Sequence, residues 1–155
     1  MNKVFEFIST GFYIGYFPVA PGTWGSLTAT LIAWNLHQSG CSRPGFVIVT
    51  LVVFILGIIS VEKFLKNKKE KDPGYVVIDE WAGQFAVFSL VPASIESLIA
   101  GFFLFRFFDI TKFYPINKSE KLKGAYGIMV DDLIAGLYAG ISLLIIHLFI
   151  WRLDI

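Results

Sequence analysis

Asp79 and Glu80 in VVIDEWAG, Asp109 in FRFFDITKFYP, and the adjacent Asp131 and Asp132 in GIMVDDLIAG all stand where an apolar run begins or ends. Carboxylates offer oxygen ligands only, the donor set of Mg2+ or another hard cation. Arg106, Asp109, Lys112 and Pro115 recur every three residues. Positions three apart share a helix face, so the two cations can stand with Asp109 while Pro115 ends the helix. Arg and Lys neutralise phosphate oxygens. The chemistry suggested is metal-assisted work on a phosphate, with Asp79, Glu80, Asp131 and Asp132 as ligands, Asp109 as ligand or base, and Arg106 and Lys112 on the substrate. Simpler roles exist for each: acids at a helix N-terminus complement its dipole, and Arg106 with Asp109 makes an ordinary ion pair. A further stretch, PVAPGTWGS at residues 18–26, reads as a Pro21-Gly22 turn with Thr23 or Ser26 capping the next helix. The functional alternative is an anion held by that helix N-terminus and the Thr23 hydroxyl.

Other chemistries lack their residues. Cys41 lies two positions from Arg43, not at C-x5-R spacing, and neither a D-x-D nucleophile motif nor a Walker loop occurs. His37 and His147 fall away from the charged stretches and read as packing or interfacial residues. Gly136 and Gly140 form a small-residue seam. A lone cysteine rules out an intramolecular disulfide.

These groups need elements to carry them, and composition says in what solvent. The chain has 155 residues, 55% hydrophobic and 16% charged, with a mean hydropathy of +0.68. That fits one domain, residues 1–155, too apolar for an ordinary soluble protein. A net charge of +1 gives no support to nucleic-acid binding. Two apolar runs are clear, 46–61 and 133–151; at 1.5 Å per residue the second spans about 28 Å, close to the hydrocarbon thickness. Three weaker runs, 23–37, 80–91 and 95–108, alternate with charged loops and are read as full or partial spans. Residues 1–17 read poorly as a signal peptide and better as an amphipathic interfacial segment. The expectation is all-α: a multi-helix integral membrane bundle with about five membrane-embedded helices, some short. Sequential crossing puts every Lys and Arg except Arg43 and Arg152 on one side, together with the five acids. The positive-inside rule makes that side cytoplasmic.

PVAPGTWGS, IDEWAG, FRFFDITKFYP and GIMVDDLIAG, in this order, resemble the phosphatidylglycerophosphatase A family of small bacterial membrane lipid phosphatases, over nearly the whole chain. The resemblance implies a helical fold in the bacterial inner membrane. It also implies Mg2+-dependent removal of the terminal phosphate of phosphatidylglycerophosphate, an anionic phospholipid, to leave phosphatidylglycerol. Direct attack by water and an aspartyl-phosphate intermediate both remain open. Two other classes compete. A transporter or scaffold would show polar residues along a pathway, but the run interiors are nearly uncharged. A phospholipid head-group transferase would carry D-x2-D-G-x2-A-R, which is absent.

Overall fold

A computed structural model describes residues 3–66, 68, 73–119 and 122–151. Among them every regular element is helical. Helix α1, Lys3–Ser9, leads through a left-handed stretch at Gly11, Phe12 and Tyr13 into the 3-10 turn Ile14–Tyr16. The Tyr16 hydroxyl donates to Glu6 Oε1 at 2.6 Å and folds this segment back on itself. Helix α2, Pro21–Gln38, opens on proline, whose fixed φ suits the first helical position. Its cap is not the expected one. Ala20 occupies the cap in a left-handed conformation with no side-chain bond, and Ser26 Oγ donates back to the Gly22 carbonyl. Pro21 and Gly22 therefore begin the helix and are not a turn before it.

Helix α3, Arg43–Leu65, and helix α7, Ala125–Ile146, carry the two clear apolar runs. These are the two described helices long and apolar enough to cross a membrane. The α7 helix begins six residues before Asp131. Glu62, near the end of α3, accepts from the Ala125 amide at 3.4 Å and so caps α7 from a neighbouring helix. Helix α5, Ile95–Thr111, has a genuine cap in Ser94, which accepts from the Ser97 amide. It ends at Lys112, in a left-handed conformation with its amide on the Phe108 carbonyl. The short α6, Ile116–Ser119, links α5 to α7.

Helix α4, Ile78–Leu90, is the axis of the molecule. It packs chiefly on α7 and α3, and also on α2 and α5, and every residue from Ile78 to Phe88 is buried. Thirteen residues reach only about 20 Å. The run expected as a span at 80–91 is thus a helix enclosed by its neighbours. The neighbours show the reverse pattern. They bury small and polar residues inward, among them Ser26, Thr30, Thr50 and Ser60, and expose large apolar ones. Trp24, Leu27 and Leu31 on α2, Ile48, Leu51 and Ile55 on α3, Ile99, Phe103 and Ile110 on α5, and Ile141 and Ile145 on α7 all face outward.

Candidate active site

The first turn of α4 supplies Asp79 and Glu80, each 8% exposed. Asp79 Oδ1 accepts from the Glu80 amide at 3.1 Å, so the helix end satisfies one of its own open N–H groups. Space for Glu80 comes from Gly22: a Cβ there would lie 2.2 Å from Glu80 Oε1. Asp131 and Asp132, each 4% exposed, come from the second turn of α7. What brings α7 so near is a reciprocal notch. A Cβ on Gly83 would meet the Asp132 carbonyl at 2.6 Å, and one on Gly136 would meet the Gly83 carbonyl at 2.1 Å. Only glycines let these two backbones touch, and contact of the backbones sets the acids of α4 beside those of α7.

Carboxylate oxygens of Asp79, Glu80 and Asp132 lie within 4.8 Å of one another. Across from them, Arg106 donates to Asp109 Oδ2 and lies 3.8 Å from Glu80 Oε1. Lys112, turned inward by its left-handed backbone, places Nζ 2.9 Å from Asp131 Oδ2. All seven side chains line one partly open cavity of about 280 Å3, together with Ala20, Pro21, Gly22, Gly74 and Val76. Five carboxylates therefore face two cations in one space, and Asp79, Glu80, Asp131 and Asp132 are buried there. Such an excess of buried negative charge is costly without a cation. A hard metal ion fits the residues present: the donors are all oxygens, and Glu80 Oε2 is buried with no hydrogen-bond partner. The Arg106 Nε is likewise buried without a partner.

All five acids and both cations read from the sequence share this cavity. Thr23 does not line it; the preceding residues Ala20 to Gly22 do, and the pairing Pro21-Gly22 was the available signal. Asp131 lies with Lys112, while Asp132 joins Asp79 and Glu80. The dipole explanation fails for Asp131 and Asp132, because α7 has no acid in its first turn and the effect fades beyond that turn. It still applies to Asp79 and Glu80. At the opposite ends of α2 and α7 stand His37, in the last turn of α2, and His147. His147 is fully buried and shares a 2.9 Å hydrogen bond with Ser97 Oγ, tying α5 to α7.

The family profile described as Phosphatidylglycerophosphatase A matches residues 7–147. The Phosphatidylglycerophosphatase A of Haemophilus influenzae is 40% identical over 134 residues, 85% of this chain and 82% of that protein. Its Escherichia coli K12 namesake is 30% identical over 157 residues, 95% and 86% of the two chains. A Bacteroides thetaiotaomicron protein, provisionally named a phosphatidylinositol-3-phosphatase, is 37% identical over 139 residues, 85% and 86% of the two chains. No solved structure matches.

Proposed function

The chain belongs to the phosphatidylglycerophosphatase A family and is a phosphatase, and from that premise we propose that it hydrolyses the terminal phosphomonoester of phosphatidylglycerophosphate to phosphatidylglycerol and phosphate, with Mg2+ as cofactor. The observation that carries this reading is the cavity in which Asp79, Glu80 and Asp132 oppose Arg106 and Lys112. Asp79, Glu80 and Asp132 would hold the metal. When bound, Mg2+ supplies charge neutralisation at the phosphoryl oxygens and a lowered pKa for water.

The chain's own side chains do the rest. Arg106 presents a planar fork to phosphate oxygens, and Lys112 adds a point charge on the other wall. Both stabilise charge that grows on the equatorial oxygens as the ester bond breaks. Asp109 orients Arg106 through their hydrogen bond and takes the proton from the attacking water. Asp131 holds Lys112 in place. The P–O bond to glycerol breaks, and the leaving oxygen is protonated to give the free hydroxyl.

We also infer a multi-pass bundle in the bacterial inner membrane with this cavity on the cytoplasmic face. The outward apolar faces of α2, α3, α5 and α7 support it, as does the distribution of Lys and Arg. Burying the phosphate site at the headgroup level places it where an anionic lipid arrives.

The test is release of phosphate by purified protein from phosphatidylglycerophosphate, with Mg2+ or with EDTA. Phosphatidylinositol 3-phosphate serves as second substrate, since the name of the Bacteroides relative points to it. Release from phosphatidylglycerophosphate that EDTA abolishes is expected. Preference for the phosphoinositide would overturn the substrate assignment, and EDTA resistance the metal.

A further inference from the structure

Gln84 stands one turn beyond Glu80 on α4 and is fully enclosed, at 0% exposure. Among the described residues neither its amide nitrogen nor its amide oxygen has a hydrogen-bond partner. Three buried hydroxyls of the core are satisfied on their own helices: Thr30 donates to the Ser26 carbonyl, Thr50 to Phe46 and Ser60 to Gly57. Gln84 is not, and it strands two atoms where Ser9 and Trp81 strand one each. An apolar side chain of similar length would fill its space without stranding two polar atoms, so packing gives no reason for an amide here.

The adjoining turn gives one. Glu80 Oε2 is also buried without a hydrogen-bond partner. Residues four apart on a helix have Cβ atoms about 5–6 Å from each other, and helical side chains lean toward the N-terminus. Gln84 therefore stands one turn behind Glu80 on the same face of α4. Gly83, between them in sequence, is turned to the Phe105 ring of α5 and the Asp132 carbonyl of α7. On its other side Glu80 Oε1 occupies the space opened by Gly22 and faces Arg106.

We propose that Gln84 is a positioning residue: when a cation is held by Glu80, the Gln84 Nε2 donates to Glu80 Oε2, a bond the two side chains do not make in this structure, and fixes the plane of that carboxylate toward the cavity. The inference rests on the reading of Glu80 as a metal ligand. Ligating carboxylates are commonly held by a hydrogen-bond donor behind them, and loss of that donor weakens metal affinity by about 10–100-fold. The amide costs the apo fold stability and returns it as orientation at the site.

The test uses the full chain in detergent with Gln84→Met, close in length but without donors, and Gln84→Glu, close in shape but with an acceptor where the donor stood. Thermal unfolding is followed against Mg2+ concentration, alongside phosphate release. The expectation for Gln84→Met is a Tm without metal equal to or above that of the unsubstituted chain. The Mg2+ concentration giving half the thermal shift should rise about tenfold or more, and kcat should fall by a similar factor, with KM changed less than about twofold. Gln84→Glu should show the same loss in kcat and metal response, and it carries the test if the methionine variant does not fold. Where Glu80→Gln is already present, adding Gln84→Met should shift the Mg2+ midpoint by less than about twofold, since the two act as one unit. A Mg2+ midpoint unchanged in both single variants would overturn the proposal, whether or not activity fell with Tm. The unsubstituted chain releasing no phosphate from the lipid would count against the proposed substrate instead, and the thermal titration would still decide the role of Gln84.

Discussion

At the residue scale the two aspartates of α7 have different partners. Asp132 joins Asp79 and Glu80, whereas Asp131 pairs with Lys112 at 2.9 Å. Asp132→Asn keeps the shape and removes an anionic ligand, and should lower kcat by about two to three orders of magnitude, or roughly 3–4 kcal/mol of transition-state stabilisation. Its Mg2+ requirement should rise as well. Asp131→Asn should cost less, about tenfold, and appear mainly in KM as Lys112 loses its anchor. Phosphate release measured against both Mg2+ and lipid separates the pair; equal effects would refute the division of labour. Arg106 reaches both Asp109 and Glu80, which a lysine cannot reproduce with one point charge. For Arg106→Lys a fall in kcat/KM of about tenfold to a hundredfold is expected, with helicity and monodispersity unchanged. Wild-type rates would reduce Arg106 to an ion-pair partner.

The element that matters most is the contact of α4 with α7. Gly83 and Gly136 let one backbone rest on the other, and the separation of Asp132 from the acids of α4 follows from it. Gly136→Ala places a methyl 2.1 Å from the Gly83 carbonyl, a backbone atom that cannot turn aside. The helices must part, which should destabilise the fold by about 1–3 kcal/mol and sharply reduce phosphate release. Gly140→Ala meets the end of a side chain, Leu90 Cδ1, at 2.8 Å, and the Val87 backbone only at 3.3 Å. It also lies about 12 Å along α7 from Asp132, so activity should be largely retained. Thermal unfolding and activity measured on both variants check the contrast, and a Gly136→Ala protein with normal rates would show that the notch does not set the site.

For the whole molecule, small polar groups such as Ser26, Thr50 and Ser60 are buried with the apolar core, and many large apolar side chains also face outward around a buried α4, the arrangement expected where the surroundings are lipid. Cys41 and Lys66 flank α3 at its two ends. In intact cells the native Cys41 should react only with a reagent applied from the outside. A Lys66→Cys variant lacking Cys41 should react only after permeabilisation. Labelling of both from the same side would exclude α3 as a crossing.

The amino-acid sequence by itself determined the helical class and the identity of the charged groups. Long uncharged runs such as 46–61 and 133–151 leave the backbone no other way to satisfy its hydrogen bonds in an apolar medium. Acids and cations recurring at the ends of runs marked the site, because charge is tolerated there and not in the run interiors. Only the tertiary structure decided which acids meet. Asp131 and Asp132 are neighbours in sequence, but successive helical positions point about 100° apart, and packing sends one to Lys112 and the other to Glu80. It also decided that 80–91 is a sheltered axis, since a short apolar helix reads alike whether its cover is protein or lipid. The roles of Gly22, Gly83 and Gln84 were illegible for a related reason. Each is defined by the absence or presence of atoms on another turn or another helix, and such distances exist only after the chain has packed.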